Sequence, residues 1–144
     1  MCLVLIVDDK EERRSRIQWI VKDVVPGCEV NLIETMEDAE AWLEEHHGEP
    51  LDLAIVDLFL RGEPPEDPGD GTELIGQIRA GFADCPCILI SGYEPLDVLR
   101  RRLPESRGLQ VISLHHTAQS MWGQLRQAIS DALVAQAAAA GSLS

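Results

Sequence analysis

The stretch Leu3-Val4-Leu5-Ile6-Val7-Asp8-Asp9 decides the fold of this chain. Its first five residues are apolar without alternation, and three of them are β-branched. With Cys2 before it, that pattern marks residues 2–7 as a strand buried on both faces, as in a parallel sheet covered by helices. Two acidic residues stand at its carboxyl end. The arrangement recurs along the chain. Leu53-Ala54-Ile55-Val56 ends in Asp57, and Ile88-Leu89-Ile90 ends in Ser91-Gly92. In a parallel α/β sheet the carboxyl ends of neighbouring strands converge on one crevice, where ligands bind. Residues far apart in sequence are therefore expected to share one pocket of three carboxylates and a hydroxyl. Such oxygen donors suit a hard divalent cation and a phosphoryl group.

The segments between these runs fit the same plan. Residues 11–24 read as a helix, with Ile17, Ile20, Val21 and Val24 as one apolar stripe and Glu11, Glu12, Arg13, Arg14 and Arg16 facing water. Pro26-Gly27 ends it. Residues 29–34 read as a strand. Residues 36–46 read as a helix starting after Thr35, with Glu37 and Asp38 in its favourable first turn. The third strand spans 51–57. A helix over 71–80 turns Leu74, Ile75 and Ile78 inward, and strands follow at 86–90 and 109–114. A short helix over 95–103 carries Arg100-Arg101-Arg102, read as a solvated face. A last helix over 118–137 places Met121, Trp122, Leu125, Ile129, Leu133 and Val134 on or near one face. Strands alternating with helices imply a parallel sheet covered on both sides, joined by right-handed crossovers. One domain over 1–136 and a flexible tail over 137–144 are expected.

Composition removes several function classes. With 144 residues the chain is long enough for one well-buried core. Its formal net charge of −13 argues against nucleic-acid binding, which needs a basic patch. No DNA-binding domain is expected after residue 136. The N-terminal apolar run is cut short by Asp8, Asp9 and Lys10, so neither a signal peptide nor a membrane span of about 18 apolar residues is expected. A cytoplasmic location follows as the expectation. The four cysteines, Cys2, Cys28, Cys85 and Cys87, lack the paired spacing of a zinc site and are read as reduced thiols.

The stretches LIVDDKEE, LDLAIVDLFL, GTELIGQIR and CILISGY, in that order, resemble the receiver domain of bacterial two-component response regulators. The resemblance covers nearly the whole chain. It implies a flavodoxin-like (βα)5 three-layer sandwich with a five-stranded parallel sheet in the order 2-1-3-4-5. It also implies a Mg2+-dependent phosphoacceptor rather than an enzyme in the ordinary sense. Asp57 corresponds to the family's phosphorylated Asp, and an ionised Asp is a competent nucleophile that forms an acyl phosphate. Asp9, Asp57 and the backbone carbonyl of Phe59 would hold the metal, with Asp8 acting through a water. Ser91 would bond a phosphoryl oxygen as the switch hydroxyl. The implied partners are a histidine kinase or phosphotransfer protein and a downstream protein, with homodimerisation left open.

Three departures from the family pattern stand out. The Lys that receivers carry at the end of the fifth strand is missing, because the only lysines are Lys10 and Lys22. The corresponding stretch is Ser113-Leu114-His115-His116-Thr117. His115 is the best positional match and His116 is next to it. With an unperturbed pKa near ~6.5, either is a conditional cation that nearby carboxylates would favour in its charged form. Lys10 or Arg61 would take the role if neither histidine does. The aromatic residue common in the fifth strand is replaced by Ile112 or Ser113. Finally, Arg61 to Asp70 reads as an acidic loop with three Pro and two Gly, longer than the about 2–6 residues usual for such a connection. The leading function is a single-domain phosphoacceptor receiver. The alternative is a pseudo-receiver that binds proteins without phosphotransfer. A phosphatase of the haloacid dehalogenase type is disfavoured, because its second Asp is replaced here by Phe59.

Overall fold

A computed structural model describes residues 2–57, 69–82, 84–91, 109–113 and 119–142. Five parallel strands, β1 (Leu3–Val7), β2 (Glu29–Ile33), β3 (Leu53–Asp57), β4 (Cys87–Ser91) and β5 (Leu109–Ser113), form one sheet in the order β2-β1-β3-β4-β5. Four helices are present among the described residues: α1 (Glu11–Val24), α2 (Met36–Glu45), α3 (Gly69–Gly81) and α4 (Gln119–Ser142). The helix expected over 95–103 lies outside those residues. The architecture is the expected flavodoxin-like sandwich.

Strand periodicity builds the three layers. Successive side chains of a strand point to opposite faces. Leu5, Val7, Ala54, Val56, Cys87 and Leu89 point to one face and pack with Met36, Ala39 and Trp42 of α2 and Leu74, Ile75 and Ile78 of α3. Val4, Ile6, Leu53, Ile55, Ile88 and Ile90 point to the other face and pack with Ile17, Ile20 and Val21 of α1 and Leu125, Ala128, Ile129 and Leu133 of α4. Each fully buried branched aliphatic side chain contributes about 1.5–3 kcal/mol. Moving a strand by one residue would exchange the two faces, so the pattern also holds the register.

Most expected boundaries agree within two residues. Thr35 caps α2, its hydroxyl accepting the Asp38 N–H at 3.1 Å. Helix α3 begins at Gly69, so Gly69 and Asp70 belong to it rather than to the acidic loop; residues 58–68 lie outside the description. Helix α4 continues to Ser142, past the expected end near residue 137, because the run of alanines there is a strong helix former. Helices α1 and α4 are joined at their surfaces by Arg126 paired with Asp23 and by the Arg16 guanidinium 4.0 Å from the centre of the Trp122 ring.

The cysteines need one correction. Cys85 and Cys87 are buried free thiols, as expected. Cys2 and Cys28 are instead joined by a disulfide, with their Cα atoms 4.6 Å apart. Parallel pairing explains the meeting. Leu3 is registered with Glu29, so the residues just before them are neighbours, and the Glu29 N–H bonds the Cys2 carbonyl at 2.8 Å. The bridge clamps the amino ends of β1 and β2, away from the acidic strand ends.

Candidate functional site

The strand register assembles the acidic pocket. Strand β1 lies between β2 and β3, and Val7 is paired with Val56. One step further along each strand come Asp8 and Asp57, side by side at the carboxyl edge. Asp8 is fully buried and Asp57 is 2% exposed. The Asp8 N–H bonds the Ile33 carbonyl of β2 at 3.0 Å, which anchors the chain as it leaves the sheet. Asp9 follows, partly exposed. One carboxylate oxygen from each of Asp8, Asp9 and Asp57 lies within 4.8 Å of the others.

Burying three acids together is costly unless cations or donors face them. The sequence pattern left Arg13 in water, and the structure corrects this. Its side chain is 14% exposed and reaches into the pocket. Arg13 Nε donates to Asp8 Oδ2, Nη2 donates to Asp8 Oδ1 at 3.0 Å, and Nη2 lies 2.9 Å from Asp57 Oδ2. Asp8 Oδ1 also accepts the Lys10 N–H at 2.8 Å, and Arg14 Nη1 donates to the Asp8 carbonyl at 2.8 Å. Burial alone would lower the Arg13 pKa. The hydrogen bond to Asp8 and the charges of Asp57, Asp8 and Asp9 outweigh it, so the net direction is upward. Arg13 is a permanent cation at this site.

The signal for Arg13 was present in the sequence. Ile17 opens the buried stripe of α1, and Arg13 stands four residues before it, on the same helix face. Helical side chains lean toward the amino terminus. A stripe continued one turn back therefore delivers its side chain to the strand ends.

The other expected site residues are placed as follows. Ser91 ends β4, one register step past Ile90, the partner of Asp57. Its backbone is thus at the carboxyl edge beside the pocket. Phe59, Arg61, His115 and His116 lie outside the described residues. Ser113 ends β5 and is registered with Ser91, so β4 and β5 end at the same edge of the sheet. Lys10 is exposed.

The donor set fits a divalent cation of the Mg2+ type. All three groups are carboxylates, and Asp9 Oδ1 is buried with no hydrogen-bond partner among the described residues. One oxygen from each lies within 4.8 Å of the others, near enough to share one hard cation that prefers oxygen ligands. Asp9 and Asp57 would be its direct ligands. Asp8, already engaged by Arg13 and the Lys10 N–H, suits an outer position.

Residues 4–113 match the response regulator receiver domain family, and the chain belongs to that family. The family consists of the receivers of two-component phosphorelay signalling, which exchange phosphoryl groups with histidine kinases or phosphotransfer proteins. Solved structures agree in fold. A response regulator receiver protein from Sinorhizobium medicae is 21% identical, with a TM-score of 0.67 over 93% of this chain and 95% of that one. A signal receiver domain of a two-component histidine kinase from Clostridium thermocellum is 16% identical, with a TM-score of 0.69 over 92% and 97% of the two chains. A CheY-like receiver domain protein from Methanospirillum hungatei is 19% identical, with a TM-score of 0.59 over 92% and 96%. No curated protein sequence matches the chain. Among the described residues no helix is long and apolar enough to cross a membrane.

Proposed function

We propose that the chain is a Mg2+-dependent, single-domain phosphoacceptor receiver and that Asp57 is the acceptor. The observation that carries this reading is the buried Asp57 carboxylate at the end of β3, set beside two more carboxylates from the end of β1. In the transfer, an Asp57 oxygen attacks the phosphorus of a phosphohistidine on the kinase or phosphotransfer protein. The P–N bond of the donor breaks, its electron pair leaves with the imidazole, and an acyl phosphate forms on Asp57. A bound Mg2+ would offset repulsion between the carboxylates and the phosphoryl oxygens. Asp8 holds Arg13 in place, Arg13 keeps positive charge beside the acceptor, and Ser91 meets a phosphoryl oxygen at the neighbouring strand end. The output is a changed surface recognised by a downstream protein.

Two observations favour the alternative of a pseudo-receiver. The 2.9 Å contact between Arg13 and Asp57 occupies an oxygen of the acceptor itself, and a Lys is absent from the end of β5. Acetyl phosphate with Mg2+, followed by intact mass, separates the two. One added phosphoryl group that disappears in Asp57→Asn supports phosphotransfer. No mass shift with acetyl phosphate or any kinase tested favours a protein-binding module that works without it.

A further inference from the structure

The acidic pocket already holds a cation of its own. Arg13 spans Asp8 and Asp57 with Nη2 about equally close to both, at 3.0 and 2.9 Å. Its Nε closes a second bond to Asp8, so guanidinium and carboxylate form a two-pronged pair. Side-chain mobility is limited by burial and by the anchoring of the next residue, Arg14, on the Asp8 carbonyl. The one carboxylate oxygen in the cluster that is buried without a partner among the described residues belongs to Asp9. It is the acid that Arg13 does not bond.

We infer that Arg13 is a built-in counter-ion that takes the place of a divalent cation between Asp8 and Asp57, so that metal binding requires Arg13 to withdraw from Asp57. The inference rests on the proposed metal-assisted phosphoacceptor site. The physical reason is competition. Asp57 is shared by both cations, and two positive groups on one carboxylate repel at close range, more strongly in a buried site than in water. Asp8 gives Arg13 a second anchor, so the guanidinium can release Asp57 while keeping its pair with Asp8. Arginine suits this role because it stays charged throughout the physiological range and its planar fork matches carboxylate and phosphate oxygens alike. The metal-free pocket then has part of its negative charge offset without an ion, at the cost of weaker metal affinity. Arg13, once released from Asp57, stays within reach of an incoming phosphoryl oxygen.

The test is the affinity of the full-length protein for Mn2+, followed by loss of the free-ion EPR signal, with Mg2+ affinity obtained by competition. Arg13→Gln removes the charge and keeps polar bulk. Arg126→Gln removes the same charge from the exposed pair with Asp23 and controls for the general field. Removing a like charge from direct contact with the site is expected to tighten Mn2+ and Mg2+ binding about tenfold or more, with Arg126→Gln close to wild type. If Arg13→Gln is marginally folded without metal, Mg2+ must raise its melting temperature by more than it raises that of the wild type, since a ligand specific for the folded state stabilises by mass action. Equal or weaker binding in Arg13→Gln, or tightening of the same size in Arg126→Gln, overturns the inference. So does the absence of metal binding in both Arg13→Gln and wild type. The phosphoacceptor reading is judged separately, by the mass shift at Asp57. Its failure leaves the metal titrations interpretable, and failed competition leaves the mass assay intact.

Discussion

Arg13 Nη2 lies 2.9 Å from Asp57 Oδ2, joining the first turn of α1 to the carboxyl end of β3. This contact ties a helix to the proposed acceptor strand through the pocket itself. It makes Arg13 part of both the stability and the chemistry of the site.

Asp8 is the anchor of that arrangement, and Asp8→Asn tests it. The substitution keeps shape but removes the charged acceptor of two Arg13 hydrogen bonds. Arg13 would still face Asp57, so the loss should be that of charged hydrogen bonds, about 1.5–3 kcal/mol, rather than that of an isolated buried charge. Urea unfolding should show a lower midpoint at unchanged slope. An unchanged midpoint would mean that solvent screens the pair.

The Cys2–Cys28 disulfide predicts a thiol count. Unfolded in the absence of reductant, the protein should take up two alkyl groups, on Cys85 and Cys87, and four after reduction. The bridge closes a loop with a sequence separation of 26, so reduction should cost about 3–4 kcal/mol by the loop-entropy relation. Four alkyl groups without reductant would show that the bond does not form in solution.

His115 is proposed as the stand-in for the missing Lys. Retention of the acyl phosphate should then weaken as pH rises through roughly 6–7.5. In that place the acidic pocket and the phosphoryl group would favour charged imidazole, so its contribution would be present at the low end of this window and lost above it. Arg13 cannot produce this dependence. Its pKa is raised above its already high ordinary value by Asp8, Asp57 and Asp9, so its stabilising charge is fully present across this window and is lost only in strong alkali. His115→Ala should flatten the profile, and His115→Lys should make retention nearly independent of pH. If His116→Ala flattens it instead, the stand-in is the neighbouring residue. A wild-type profile already flat over the window would remove both histidines from the site.

Thr35→Ala measures the cap of α2. Its hydroxyl accepts the Asp38 N–H at 3.1 Å in an exposed setting, so the loss should be about 1 kcal/mol. Thr35→Ser should restore most of it. A loss near zero would mean that water satisfies this donor equally well.

Much of this protein is legible in the order of its residues alone. The unbroken apolar runs 3–7, 53–56 and 88–90 can be buried only by a sheet covered on both faces, and the acids and the serine that end them fall on one edge because parallel strands point the same way. The helix α1 stripe at Ile17, Ile20 and Val21 follows from a local period of 3.6 residues. These are features of local geometry repeated along the chain. Two decisive contacts are of another kind. The Cys2–Cys28 bridge depends on the pairing of Leu3 with Glu29, which cysteine spacing does not encode. Arg13 looked like one of several charges on a wet helix face. Its spacing from Ile17 puts it on the buried side of α1, but its pairing with both Asp8 and Asp57 is set only when α1 is laid against β1 and β3, because a charge acquires its partners from the fold rather than from its sequence neighbours. Local pattern determined the strands, the helices and the identity of the acids. Tertiary packing decided which cation meets them, since only folding brings into angstrom range groups that the chain keeps apart.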